Sequence, residues 1–474
     1  MNHPNAFTFL LWLLPVAAVA QRPAMSGEVR KYVSSDTSLV AITGVTVIDG
    51  KGTAAVKGQT VVIRDGRIAE VGPVAKVKTP AGAQVVDGSG MTLIPGMVGM
   101  HDHMFYTAAG GVSTQMSFSG PRLYLGSGVT SVRTTGSVSP YADLNLKKGI
   151  DTGESPGPRM HITTPYLTGG ADADDMYAAD DPEAARRFVT YWAGEGATWV
   201  KFYADISLAS MKAAIDEAKR LGIRTTGHLC SVTFREAIDL GINDLAHGSL
   251  TATDFIADKV RDKCPPNVFA LLDSLATGEG PLATSLIDLM VQRKVSMTTT
   301  MPVLEAFYPN RPVTDERSLE LMTPAVRTAY LAQRAFIDTT SHWPFTPGGF
   351  ARALAFDKAF YAAGGILASG VDPTGNGGAL PGFGDQRGYE LLREAGLNAE
   401  QAVQVVTWNG ARVLGVEQTL GSVTQGKIAD LVLLRGDLVA DPSVIRNVVT
   451  VYKDGVAYNP TKLINAVRGR VGIN

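Results

Sequence analysis

Between residues 93 and 370, eight short apolar segments recur at intervals long enough to hold helices between several of them. They are Leu93–His103, Val129–Thr134, Arg159–Thr164, Trp199–Tyr203, Arg224–His228, Asp244–His247, Val295–Thr299 and Gly365–Gly370. Asp181–Ala193 and Ser207–Leu221 carry apolar residues at helical spacing, and Ser207 is placed to act as an N-cap. Strands that alternate with amphipathic helices pair in parallel, because each crossover needs about a helix of chain. Eight such units predict an α/β fold, a (β/α)8 TIM-like barrel over residues 93–417. The connections 248–294 and 300–360 are long, and long barrel loops shape a substrate mouth.

The flanks read differently. Residues 37–92 hold short β segments at Leu39–Ile48, Thr60–Arg64, Arg67–Val71 and Ala83–Asp87, with Asp49-Gly50 and Asp65-Gly66 as turn signals. The far end repeats this style at Asp430–Leu434, Val448–Lys453 and Val456–Tyr458. Neither set can bury a core alone, so residues 37–92 and 418–460 are expected to build one small β-sandwich domain together. Residues 1–20 read as a signal peptide: an apolar run from Phe7 ends in Ala18-Val19-Ala20, although no Lys or Arg precedes it. That predicts a periplasmic or secreted protein. No later run is long and apolar enough to span a membrane, so no stable membrane anchor is expected. A net charge of −2 without a Lys/Arg cluster gives no electrostatic footprint for nucleic acid. The expected partner is a small molecule or small peptide; a homo-oligomer stays open.

Chemistry in a parallel barrel gathers at the C-terminal ends of its strands. The first segment ends in His101 and His103, the fifth in His228 and the sixth in His247, so four of the seven histidines fall at strand ends. Asp372 follows the eighth. Convergent neutral imidazoles with a carboxylate form a grip for divalent metal, and imidazole suits Zn. Lys201 in Trp199-Val200-Lys201-Phe202-Tyr203 alternates with Val200 and Phe202, which points it into the barrel if they pack outward. A buried ammonium loses its proton readily and can take up CO2 as a carbamate, a carboxylate-like bridge between two cations. Arg133 on the second strand reads equally as a clamp for a substrate carboxylate or as a salt bridge within the barrel. Asp102, His161 and His342 receive no role. The run Gly375-Asn376-Gly377-Gly378 would allow close approach of a substrate to backbone, without naming one. Cys230 follows His228 by two residues and Cys264 lies in the long loop after the sixth strand; a disulfide between them would staple that loop beside the metals.

The run PGMVGMHDH, with WVKFYAD, TTGHLC, DLAHGS and ASGVDP in order, resembles the amidohydrolase superfamily, most nearly its imidazolonepropionase-like and Xaa-Pro dipeptidase-like branch. The resemblance implies His101, His103 and Asp372 on a first ion, His228 and His247 on a second, and N6-carboxylated Lys201 bridging two divalent ions, Zn by preference. With the export read from residues 1–20, it implies a hydrolase of an amide or peptide-like C–N bond, with dipeptides and N-acyl amino acids favoured. In that reading a hydroxide shared by the ions attacks, Asp372 carries the proton, and Tyr203 contacts substrate and donates to the developing oxyanion. The alternatives are a mononuclear cyclic-amide hydrolase or deaminase and, further off, a lactonase, a lyase or a non-catalytic binding protein.

Overall fold

The computed structural model describes residues 22–170, 176–179, 181–311, 316–341 and 343–472. The segment read as a signal peptide lies outside them. The architecture is mixed α/β. Strands β1 (Met97–Gly99), β2 (Val129–Arg133) and β3 (Arg159–His161) pair in parallel. After Ile162 the chain of β3 continues as Thr163–Thr168, which pairs in parallel with β4 (Trp199–Phe202). The same sheet then adds β5 (Arg224–Gly227), β6 (Asp244–Ala246), β7 (Ser296–Thr299) and β8 (Leu367–Ser369), each parallel to the last. Beyond the end of β8, Met100 N donates to Ser369 O at 2.9 Å and Asp372 N to His101 O at 2.8 Å, so the segments after β1 and β8 touch. Every residue of β2, β4, β6, β7 and β8 is buried, as expected of strands covered on both faces.

The helices between them follow their local signals. Leu208–Leu221 begins at Ser207, whose side chain accepts from Ser210 N, and stops at Gly222 in the left-handed conformation. Pro182–Gly194 begins at Asp181, which caps Ala184 N. Val200, Phe202, Leu245, Met297 and Leu367 pack with Phe188 and Ile215 of these two helices in the largest apolar core.

The first segment differs from its sequence reading. Leu93–His103 is not one strand. Met91–Pro95 pairs antiparallel with Leu431–Arg435 in another sheet, and only Met97–Gly99 enters the parallel array. Gly96 lies at the switch, where a Cβ would sit 2.1 Å from Thr130 Oγ1, so only glycine passes. His101 and His103 therefore follow a strand instead of alternating along one.

The two chain ends meet in a single hydrogen-bonded sheet of nine strands. Its path runs Val33–Ser35, Val456–Tyr458, Val448–Lys453, Leu431–Arg435, Met91–Pro95, Leu39–Val47, Val56–Arg64 and Arg67–Pro73, with Gln84–Asp87 also on Leu39–Val47. Its own core joins Val61, Ile63 and Leu93 to Leu431 and Leu433 from the opposite end of the chain.

Cys230 and Cys264 are joined in a disulfide, their Cα atoms 5.0 Å apart. It ties the excursion after β6 to the turn after β5. With the linked positions 34 residues apart in sequence, replacing both by serine is expected to lower stability by about 3–4 kcal/mol through loop entropy. Urea unfolding of the oxidised protein and the double variant checks this; equal midpoints would refute it.

Candidate metal centre

A cavity of about 680 Å³ opens over the C-terminal ends of the parallel strands, with His101, His103, Lys201, His228, His247 and Asp372 all on its wall. The backbone fixes these groups closely. A Cβ on Gly370 would lie 2.3 Å from His101 N, so this glycine lets the turns after β1 and β8 close against each other. His247 and Asp372 hold positive φ values of 69° and 49°, a strained conformation that their hydrogen-bonded surroundings enforce. His247 N donates to Thr298 O at 2.9 Å, and His247 Nδ1 lies 2.7 Å from Thr300 Oγ1. Asp372 Oδ1 accepts from Thr374 Oγ1 at 2.8 Å.

Asp372 is the hub. Its oxygens lie 3.3 Å from His103 Nε2, 3.6 Å from His101 Nε2 and 3.8 Å from His247 Nδ1. His103 Nδ1 is 3.1 Å from Gly136 O, a contact that fixes the orientation of its ring. His228 stacks edge-on against His247, ring centroids 4.5 Å apart. Ligand atoms of His101, His247 and Asp372 all lie within 4.8 Å of one another, which groups His247 with two residues that the resemblance assigns to the other ion.

Burial sets the protonation states. It drives His101 and His247 well below the ordinary histidine value and His228 to about 3, with Lys201 adding repulsion at each, so these imidazoles stay neutral. Burial would raise Asp372, but the hydrogen bond from His103, with that from Thr374, holds it well below the carboxylate range. Burial lowers Lys201 to about 7, opposed by Asp372. Lys201 Nζ and His101 Nδ1 are buried without a hydrogen-bond partner among the described residues. Neutral imidazoles, an ionised carboxylate and an orphaned amine make a donor set that fits divalent metal.

Tyr203 lines the same cavity, its ring 4.7 Å from His228, and burial raises its hydroxyl to about 12, so it remains a donor. Arg133 is a correction. It is fully buried and absent from the cavity wall; its Nη2 donates to Asp244 Oδ2 at 2.8 Å and its Nε to Met100 O at 2.9 Å. The carboxylate-clamp reading fails because the guanidinium is already engaged inside the strand array. His161 is outside the cavity wall as well, at the end of β3, and His342 lies outside the described residues.

Two participants escaped the sequence reading. Tyr166, beside Lys201 in register, brings its hydroxyl to 3.3 Å from His103 Nε2. Its segment seemed to end at Thr164, and only the strand's continuation brings it to the cavity. Asp102 accepts from Val371 N at 3.1 Å and thereby ties the His101–His103 turn to the Asp372 turn. Burial raises its carboxyl, as does the neighbouring Asp385. A buried carboxylate between two histidines was the available signal.

Residues 92–253 and 381–458 match the family model described as Amidohydrolase family. The chain belongs to that family. It is a metal-dependent hydrolase acting on carbon–nitrogen bonds. Similar proteins span several reactions. A dihydroorotase of Pelotomaculum thermopropionicum is 38% identical over 105 residues, which is 22% of this amidohydrolase and 22% of that protein. A 5-methylthioadenosine/S-adenosylhomocysteine deaminase of Moorella thermoacetica is 24% identical over 423 residues, 85% of each chain. A Xaa-Pro dipeptidase solved with methionine in its active site shares the fold at TM-score 0.66 and 20% identity, covering 89% of this amidohydrolase and 100% of that chain.

Proposed function

We propose that this amidohydrolase cleaves a small amide or peptide-like C–N bond at a two-ion centre whose bridge is Lys201 carboxylated at Nζ. The observation that carries the reading is the buried, unpartnered Lys201 Nζ amid four histidines and Asp372. As a carbamate it would gain the negative charge that two cations require and lose an ammonium that its surroundings do not solvate. His101, His103 and Asp372 would hold one ion and His228 with His247 the other. Imidazole-rich ligation favours Zn.

Bound ions would supply a Lewis acid for the scissile carbonyl and lower the pKa of water to about 7. Asp372, ionised and oriented by Thr374, receives the proton at a carboxylate oxygen and delivers it to the leaving nitrogen. Tyr203 donates its phenolic proton in a hydrogen bond to the carbonyl oxygen as negative charge grows there. Tyr166 orients His103.

The eight parallel strands read as a closed (β/α)8 barrel; the continuation of β3 through Ile162 and the contacts between the segments after β1 and β8 support closure. We take the nine-stranded sheet, which also holds Val33–Ser35 and Met91–Pro95, as the small β domain expected of residues 37–92 and 418–460, one sheet in place of the expected sandwich. Among the described residues no helix is long and apolar enough to cross a membrane. Export, by a signal peptide over residues 1–20, is supported by the disulfide.

A one-ion reading, as a cyclic-amide hydrolase or deaminase, draws on the compact His101, His247 and Asp372 group and on the long alignment to a deaminase. Metal analysis of protein purified with bicarbonate and without chelator separates them. About two equivalents per chain, both needed for amide hydrolysis, are expected; one equivalent with full activity would replace the two-ion reading by the one-ion reading.

A further inference from the structure

The cavity wall carries a charge pattern that narrows the substrate. No Lys or Arg occurs in any residue outside the described ones, and among the described residues Lys201 is the only one that lines the cavity. Lys201 lies on the floor among the ligands and is committed to them. Arg133, the cation nearest in sequence logic to a carboxylate site, is spent on Asp244.

The upper wall is aromatic. Phe105 packs on His103 with centroids 4.5 Å apart and Phe269 on His228 at 6.1 Å, so the apolar surface begins at the centre itself. Phe307, Trp343 and Phe345 continue it outward, with Phe345 centroids 5.6 Å and 6.3 Å from Phe307 and Trp343. The Trp343 indole N–H donates to Phe307 O at 2.6 Å, so it offers the cavity only a ring.

The wall's hydroxyls are largely engaged as well. Thr107 pairs with Ser113 at 3.0 Å, Thr251 donates to Ala246 O at 2.8 Å, and Thr374 donates to Asp372. Tyr203 and Asn267 keep polar groups for substrate, enough for one neutral amide. Away from the metal centre, a substrate carboxylate drawn against this wall would lose water without gaining a Lys or Arg partner.

Resting on the amide-hydrolase reading above, we infer that the substrate is uncharged, an amide with aromatic or branched apolar substituents and no free carboxylate. This departs from the dipeptide and N-acyl amino acid preference that the sequence suggests, because both carry a carboxylate that needs a partner.

The test uses a matched pair that differs only in that group: N-benzoyl-phenethylamine and N-benzoyl-phenylalanine. Calorimetric binding to the metal-free protein is measured first, then kcat/KM with metal restored. At least tenfold tighter binding and faster turnover of the neutral amide are expected. Ala270→Arg, on a cavity-lining helical position, is expected to reverse the binding preference. Equal or tighter binding of the acid, or binding of neither, overturns the inference. Neutral-selective binding without hydrolysis of either compound would leave the inference standing and remove the amide-hydrolase reading instead.

Discussion

Replacing Lys201 by methionine is expected to abolish turnover, by at least about a thousandfold, since the bridge proposed for the two-ion centre, and with it one ion, would be lost. The same change is expected to stabilise the metal-free protein. Lys201 Nζ is buried without a partner, so the wild-type chain holds an amine where an isosteric thioether would pack without desolvation. The pH dependence gives the argument its sign. Unfolded lysine keeps its proton to the ordinary value of 10.5, whereas folded Lys201 releases it at about 7. Between those values the unfolded chain binds more protons, so the wild type gains stability as pH rises, and K201M lacks that gain. The variant's advantage is therefore largest at and below pH 7, on the order of a few kcal/mol, and shrinks toward pH 10. Urea unfolding of metal-free, bicarbonate-free protein at pH 6.5 and pH 9.5 measures it, alongside metal content and kcat. A variant that keeps two ions, or that is less stable than wild type at pH 6.5, would sink the assignment.

That Lys201 was visible in the sequence at all follows from the rarity of its setting: an ionisable residue alternating with Val200 and Phe202 in a short apolar run. The histidines and Asp372 were legible for the same reason, since each ends or follows a run whose neighbours are apolar. Periodicity marks which residues are buried, but it does not name the sheet a strand joins. Met91–Pro95 and Met97–Gly99 are equally apolar, and only Gly96 against Thr130 separates them into two sheets. Distant partners left even less trace. Arg133 and Asp244 lie 111 residues apart, and nothing local to Arg133 distinguishes a substrate clamp from an internal strut. Tyr166 reaches His103 through register with Lys201, which is a property of the assembled sheet.

The strut reading has its own expected result: Asp244→Ala should destabilise the protein by about 3–5 kcal/mol, because it leaves a fully buried guanidinium unpaired. Arg133→Met should be milder, since Asp244 would still accept from Thr226, Ser296 and Thr298. Replacing both together, with Met at 133 and Leu at 244, should recover part of the loss, as apolar replacement of a buried pair often does. The kinetic signature separates strut from clamp. Arg133 Nε donates to Met100 O, and Asp102 N donates to Arg133 O at 3.0 Å, so this residue braces the turn that carries His101 and His103. Loosening that turn moves the ligands, and kcat should fall alike for neutral and anionic amides while KM changes little. A clamp would instead raise KM for carboxylate-bearing substrates alone. Steady-state kinetics of R133M on the two matched benzoyl amides decides it, and a KM effect confined to the acid would return Arg133 to the substrate site.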